Sequence, residues 1–103
     1  MHITIWEFHA IAGREAEFEQ SYGPDGEWAR LFRRGEGYLG TELLRDEAYP
    51  RRYITLDRWT SPAARSAFQG QWRAEYNALD KQCEALTEHE APLGVLTLVA
   101  GNK

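Results

Sequence analysis

The pattern of apolar and polar residues changes from strand-like to helical at the middle of the chain. Residues 52–59 alternate in the manner of a β-strand that ends at Trp59. Ser61 followed by Pro62 is typical of a helix N-cap and first helical position, so a helix is predicted to begin there. Trp59 therefore ends a strand just before a helix, where a side chain can overhang a pocket.

The predicted helix carries one apolar stripe and is expected to end near Glu88, with a kink at Gly70. Successive stripe residues are four, four, three, four and three positions apart, which is helical spacing. The stripe consists of Phe68, Trp72, Tyr76, Leu79, Cys83 and Leu86. Its aromatic members suit either a packed core or the wall of a ligand cavity, and the pattern alone does not decide between them.

The first half of the chain predicts a strand followed by a bent helical crossover. Residues 2–10 lean apolar on both faces, which is typical of a central strand. Helices are predicted over residues 13–22 and 27–34, separated by a Gly-Pro-Asp-Gly break at residues 23–26. We interpret the break as a bend within one crossover.

Two further strands and a final strand complete the predicted fold. Residues 38–48 and 51–59 are separated by a turn at Tyr49-Pro50, which predicts a hairpin. Thr87 and Glu90 have capping-box spacing and could begin another helical turn, before a last strand over residues 93–100.

The resulting order, βαββαβ, is that of a ferredoxin-like α+β fold, with helices on one face of an antiparallel sheet. The other face then needs a cover. A second copy of the chain is the simplest one, so a homodimer is predicted.

Length and composition narrow the class of protein. A chain of 103 residues is expected to form one domain, and 43% hydrophobic residues indicate a globular protein. The formal net charge of −4 gives no basic surface for nucleic acid or anionic lipid. No apolar run approaches the length of a membrane span. With a single cysteine, Cys83, and a strand pattern from the first residues in place of a signal peptide, we expect a cytoplasmic protein.

Four segments of this sequence together resemble the antibiotic biosynthesis monooxygenase family of the dimeric α+β barrel superfamily. They are residues 13–18, residues 22–28, the glycine-rich stretch 37–46, and residues 53–59 running on to Ala64 and Phe68. The resemblance implies one such domain over residues 1–103, assembled as a homodimer. The family includes cofactor-free oxygenases of aromatic polyketides and quinols, heme degraders, isomerases and members without known activity.

Likeness to the cofactor-free oxygenases implies a monooxygenase that acts on an aromatic, quinol-like or polyketide-like small molecule without cofactor or metal. Trp59 matches the tryptophan at the end of the third strand. Thr55 stands where the best-known polyketide oxygenase of the family has an asparagine. We expect Trp59, Thr55 and Tyr76 to act in catalysis, with Thr55 or Tyr76 donating a hydrogen bond to a substrate oxygen. Substrate-binding residues are expected to be Trp6, Phe8, Phe68 and Trp72.

The heme-degrading members imply a different site, which this sequence matches poorly. Alignment through Gly13 and Trp59 puts Trp6 and Phe68 at positions where those members have an asparagine and a tryptophan. No histidine lies between Phe68 and Leu86, so Tyr76 is the nearest candidate axial ligand. The alternative function is therefore a non-catalytic dimeric domain that binds a small ligand, heme included.

One charged constellation follows from strand parity, independently of any family. If strand one lies beside strand three, Glu7 and His9 could share a face with Asp57 and Trp59, with Glu42 nearby. A histidine flanked by carboxylates could act as a general base. We favour the competing interpretation that these charges lie in or beside the dimer interface and pair with arginines: Arg45, Arg52 or Arg58. No closely spaced ligand pair predicts a metal site.

Overall fold

The structure, a computed structural model, describes residues 1–99 and confirms the predicted α+β order. The strands are β1 (His2–Ala10), β2 (Tyr38–Arg45), β3 (Arg52–Trp59) and β4 (Thr87–Thr97). The helices are α1 (Glu15–Tyr22), α2 (Glu27–Phe32), α3 (Pro62–Gln71) and α4 (Arg73–Cys83), followed by a 3₁₀ turn, Glu84–Leu86. None of the described helices combines the length and apolar character needed to cross a membrane.

The four strands form one antiparallel sheet in the order β2-β3-β1-β4, which is the ferredoxin-like arrangement. β1 is a central strand, as its two apolar faces predict. The register pairs Thr4 with Asp57 and Glu7 with Ile54. Because opposite residues of an antiparallel pair point to the same face, this register fixes which side chains face the helices.

The helix-facing side of the sheet is rich in large rings. From β1 and β3 it presents Phe8, Tyr53 and Trp59, all buried. The helices add buried rings at Phe18, Tyr22, Trp28 and Phe68, which join the same core. The opposite face, called the outer face below, carries Ile3, Ile5, Ile54 and Leu56, and no described helix covers it.

The predicted long helix is in fact two helices that meet at Trp72. The backbone of Trp72 leaves the helical region, with φ −112° and ψ 25°, so α3 ends at Gln71 and α4 begins at Arg73. Hydrogen bonds continue across the break, since the Trp72 N–H donates to the Phe68 carbonyl at 2.9 Å. The break therefore bends the helix while its backbone hydrogen bonding continues. It lies two residues beyond the kink predicted at Gly70.

The last strand begins earlier than predicted. Residues 87–90 pair with β1 as part of β4, so the further helical turn suggested by Thr87 and Glu90 is wrong. Pro92 lies inside the strand because β4 is at the edge of the sheet, where a missing N–H costs little. The strand ends at Thr97, and the predicted last residue, Ala100, lies outside the described residues.

Candidate active site

A cavity of about 70 Å³ lies between the helix-facing side of the sheet and the helices, beside Trp59. Half of the residues in its wall are aromatic: Trp6, Phe8, Tyr22, Trp28, Phe32, Trp59, Phe68 and Tyr76. The half-buried Arg65, Gln69 and Asp80 and the exposed Glu90 also belong to the wall, so the cavity is open to solvent on that side. A concave site that combines aromatic side chains with convergent polar groups is typical of a small-molecule site.

Trp59 is held rigidly at the end of β3. Its side chain is 1% exposed, and its ring packs 5.2 Å from both Phe68 and Tyr38, centroid to centroid. The loop after α2 comes so close that a Cβ on Gly35 would lie 2.9 Å from Phe68 and 3.0 Å from Trp59. Glycine at this position thus allows the backbone to pack directly against Trp59 and Phe68.

Six of the seven side chains expected at the site lie in the cavity wall: Trp6, Phe8, Thr55, Trp59, Phe68 and Tyr76. Trp72, whose backbone forms the break between α3 and α4, is not among the wall residues. The Arg34 guanidinium instead lies 5.1 Å from the centre of the Trp72 ring, in a cation–π contact. Trp72 is therefore not part of the cavity wall, and the catalytic and binding roles of all seven residues stay predictions.

Two threonines and one tyrosine present hydroxyl groups at the cavity wall. Thr4 and Thr55 are 3% and 4% exposed, respectively, and within residues 1–99 neither side chain makes a hydrogen bond to protein. Burial raises the pKa of Tyr76, so its hydroxyl keeps its proton and can donate it in a hydrogen bond. A substrate oxygen in the cavity would find these donors unoccupied.

Asp57 is the carboxylate closest in sequence to Trp59 and shares its face of β3. Thr41 donates a hydrogen bond from Oγ1 to Asp57 Oδ1 at 2.5 Å, and Tyr38 contacts Thr41 in turn. Desolvation by burial raises the pKa of Asp57 from 3.8 to about 6, partly offset by the Thr41 hydrogen bond and the charge of Arg65. A carboxylate with such a pKa can exchange a proton near neutral pH.

The predicted constellation of Glu7 and His9 with Asp57 and Trp59 is wrong. The register places Glu7 and His9 on the outer face, whereas Asp57 and Trp59 point to the helices. Arg52 donates to Glu7 at 2.5 Å, and His9 lies 3.7 Å from the same carboxylate. The competing interpretation, pairing with arginines, is confirmed for Glu7 here.

Glu42, like Glu7, lies away from Asp57 and pairs with an arginine. It lies on the outer face with Arg58, and the two side chains form an ion pair at 2.7 Å. Glu42 is thereby separated from Asp57 by the sheet itself. Within residues 1–99, no group of three or more histidine, cysteine, aspartate or glutamate side chains is arranged to hold a metal ion.

Sequence reasoning did not assign most of the polar wall residues to the site, Asp57, Arg65 and Thr41 among them, although weak signals for the first two were present. Asp57 lies two residues from both Thr55 and Trp59, so strand parity puts all three on one face. Arg65 lies three residues before Phe68, which is the same helical face. Thr41 carries no comparable signal, because its contact with Asp57 depends on the register between β2 and β3.

Comparison with known proteins agrees with this architecture. The family model described as antibiotic biosynthesis monooxygenase matches residues 1–74. No curated protein sequence matches the chain significantly.

Several solved structures share the fold. SnoaB, a cofactor-independent oxygenase from Streptomyces nogalater, is 22% identical, with a TM-score of 0.75 over 97% of this chain and 95% of that one. A candidate antibiotic biosynthesis monooxygenase from Deinococcus radiodurans is 16% identical, with a TM-score of 0.76 over 100% of this chain and 97% of that one. An uncharacterized NIPSNAP domain protein from Burkholderia xenovorans is 16% identical, with a TM-score of 0.69 over 100% of this chain and 99% of that one. At these identities the solved structures establish a shared fold, and the family match, which covers well over half of the chain, establishes that this protein belongs to the antibiotic biosynthesis monooxygenase family.

Proposed function

We propose that the protein is a cofactor-independent monooxygenase that acts on an aromatic small molecule, quinol-like or polyketide-like. The observation that carries the proposal is the aromatic cavity beside Trp59, open to solvent and supplied with unoccupied hydroxyl groups. Membership of the family and the shared fold with SnoaB, described as a cofactor-independent oxygenase, support the same function.

The proposed reaction draws all its electrons from the substrate. A phenol-type ring first loses its hydroxyl proton, and the anion then gives one electron to dioxygen. The resulting radical and superoxide combine at a hydrogen-bearing ring carbon ortho or para to the oxygen to form a peroxide. Protonation of the peroxide, loss of the remaining hydrogen from that carbon and cleavage of the O–O bond leave a new C=O group and one water molecule. One oxygen atom therefore enters the product and the other leaves as water, with no external reductant.

The cavity wall suits this chemistry in three ways. Trp6 and Trp59 present flat apolar surfaces to a ring, while Thr55 and Tyr76 can donate hydrogen bonds to the developing anion. The surrounding rings exclude water, which strengthens those hydrogen bonds. At about 70 Å³ the cavity is smaller than the ~300–1,000 Å³ of pockets for drug-sized ligands, so entry of a ring requires the flexible side chains of Arg65 and Gln69 to move.

Oxygen uptake with a panel of hydroquinones and anthrones tests the proposal. We expect uptake by the wild-type protein and a lower kcat/KM in Trp59→Phe and Thr55→Val. For Thr55→Val the loss should be about tenfold, less than the ~10²–10³ typical of an oxyanion-hole amide, because a hydroxyl is the weaker donor. Thr97→Val, the same change on an exposed part of β4, serves as the matched control. Full activity in both cavity variants would show that Trp59 and Thr55 have no role in the reaction.

Ligand binding without turnover is the competing function, because an aromatic cavity can bind a ring without reacting it. Heme titration followed by its Soret band tests one such ligand, with Tyr76→Phe as the variant that removes the candidate axial oxygen. A band that depends on Tyr76, together with no oxygen uptake, would favour the binding function.

We further propose that a second copy of the chain covers the outer face, giving a homodimer. Ile3, Ile5, Ile54 and Leu56 lie there half-buried, and Leu44 and Leu96 are each 50% exposed on the flanking strands. Such a contiguous apolar surface is uncommon on a monomer. Ion pairs of Glu7 with Arg52 and of Glu42 with Arg58 lie on the same face. Paired charges around an apolar centre are typical of a protein interface.

Ile54→Glu is expected to shift the protein from dimer to monomer, because it places an unpaired charge at the centre of the outer face. Sedimentation velocity at micromolar concentration measures the change. Ala67→Glu, on an exposed position of α3, adds the same charge on the helical side and should leave the dimer intact. A wild-type protein that sediments as a monomer at all concentrations would rule out the dimer.

A further inference from the structure

The carboxylate of Asp57 has an unusual environment inside the cavity. Within residues 1–99 it forms no ion pair, and its one side-chain hydrogen bond is the one that Thr41 donates to Oδ1. Oδ2 is therefore left without a protein donor. By contrast, the outer-face carboxylates of Glu7 and Asp46 both accept hydrogen bonds from Arg52. A desolvated carboxylate without a counter-ion costs stability, so a purely structural role does not explain Asp57.

The hydrogen bonds behind Asp57 run in one direction. Thr41 has a single hydroxyl proton, and it is donated to Asp57. The contact between Tyr38 and Thr41 must then use the tyrosine proton, so Tyr38 donates to Thr41. These two hydrogen bonds hold the Asp57 carboxylate in place through Oδ1 and favour its ionised form. Oδ2 stays open as an acceptor.

A guanidinium shares the cavity with this acceptor. Arg65, on α3, belongs to the wall, and within the described part of the chain its side chain makes no ion pair and no hydrogen bond. Its positive charge lowers the pKa of both Asp57 and Tyr76, against the larger effect of burial, which raises them. An anion formed in the cavity would be stabilised by Arg65 and by hydrogen bonds from Tyr76.

We propose that Asp57 is the catalytic proton acceptor of this cavity, and that its substrates are hydroxylated aromatic rings whose phenolic proton passes to Asp57 Oδ2. The inference rests on the proposed oxygenase function and names the residue and substrate class that begin the reaction. In this step the O–H bond of the phenol breaks and an O–H bond forms on Asp57. The electron pair stays on the phenolate, and no electron is transferred. Solvent at the open side of the cavity then takes the proton from Asp57.

Burial, opposed by the Thr41 hydrogen bond and by the charge of Arg65, sets the pH range of this step. Arg65 faces Asp57 from α3, Tyr76 and Asp80 from α4, and Glu90 from β4. Burial raises the pKa of Asp57 to about 6, so above that pH most molecules hold the carboxylate form that accepts a proton.

Oxygen uptake in Asp57→Asn tests the assignment. Asparagine keeps an oxygen to accept the Thr41 proton but cannot take up a proton, so kcat/KM should fall by about 10²–10⁴-fold. Asp25→Asn, the same change at an exposed surface position, is the matched control and should keep full activity. Uptake in Asp57→Asn at more than a tenth of the wild-type rate would overturn the assignment while leaving the oxygenase function intact.

A measurement without turnover separates the two proposals. When 4-nitrophenol binds the wild-type protein at a pH below its own solution pKa, where the free compound is mostly protonated, we expect a gain of phenolate absorbance on binding together with an infrared band of a protonated carboxyl group, and neither change in Asp57→Asn. Both signals in a protein without oxygen uptake would support the proton acceptor and contradict the oxygenase. Failure of the wild-type protein to bind the phenol, or binding without a carboxyl band, would overturn the role of Asp57.

The positioning role of Thr41 can be tested through the pH dependence of activity. Thr41→Val removes the hydrogen bond that favours the ionised carboxylate, so the pH at which activity rises should move upward, and Thr41→Ser should restore it. An unchanged pH profile in Thr41→Val would show that the hydrogen bond does not tune the acceptor.

Discussion

Gly37→Ala is expected to lower the free energy of unfolding by about 2–5 kcal/mol. Gly37 has φ +92°, a conformation that alanine adopts only with strain. A Cβ there would also lie 2.6 Å from Thr60 Oγ1 and 2.8 Å from Ala64 Cβ. The Gly37 carbonyl accepts the Thr60 N–H at 2.8 Å, so the added methyl group pushes apart two segments that a hydrogen bond joins. Urea denaturation measures the loss.

Gly70→Ala is the matched control and should have the opposite sign. Gly70 lies in α3, and a Cβ there meets nothing within 4 Å. Alanine should therefore stabilise the helix by about 0.5–1 kcal/mol. If the two substitutions changed stability equally, the contact of Gly37 with the start of α3 would not exist in solution.

Asp57→Asn should remove a pH-dependent cost to stability of about 3 kcal/mol that develops between about pH 4 and about pH 7. The folded protein raises the pKa of Asp57 from 3.8 to about 6, so it holds this proton more tightly than the unfolded chain does. The wild-type protein therefore loses stability as pH rises through this range, whereas the variant lacks this contribution. At pH 8 the variant should be the more stable protein.

Urea denaturation of both proteins across the pH range provides the measurement. Glu7 and Asp46 have lowered pKa values because of their hydrogen bonds, and they act in the opposite direction. They lie away from the cavity and are the same in both proteins, so the difference between the two curves isolates Asp57. Parallel curves would mean that Asp57 titrates normally and is not desolvated.

The order of strands and helices could be predicted because several of their ends carry residues typical of helix caps and loops. The Ser61-Pro62 cap places the start of α3 correctly, with Ser61 Oγ accepting the Ala64 N–H at 3.1 Å. Gly35 and Gly37 likewise indicate, from the sequence alone, a loop between α2 and β2. The start of β4 was missed because residues 87–90 are polar and mostly exposed, and they form a strand only by pairing with β1.

The site was predicted less completely, because it depends on register and on helix direction. Thr55 and Trp59, which lie in the cavity wall, were expected at the site from the resemblance to the cofactor-free oxygenases, and Phe68 from the apolar stripe of its predicted helix. Asp57 was grouped with Glu7 because no local pattern fixes the pairing of β1 with β3. Trp72 was expected in the cavity because unbroken helical spacing hides a turn that one residue's backbone creates.

The distribution of the four tryptophans also has an optical consequence. Trp6, Trp28 and Trp59 lie in the wall of the cavity, and Trp72 lies outside it. Most of the indole emission of the protein therefore originates around the space that a ligand would fill. A bound quinone or phenol would quench that emission directly, so the protein carries its own fluorescent reporter of occupancy, which needs no label and no turnover.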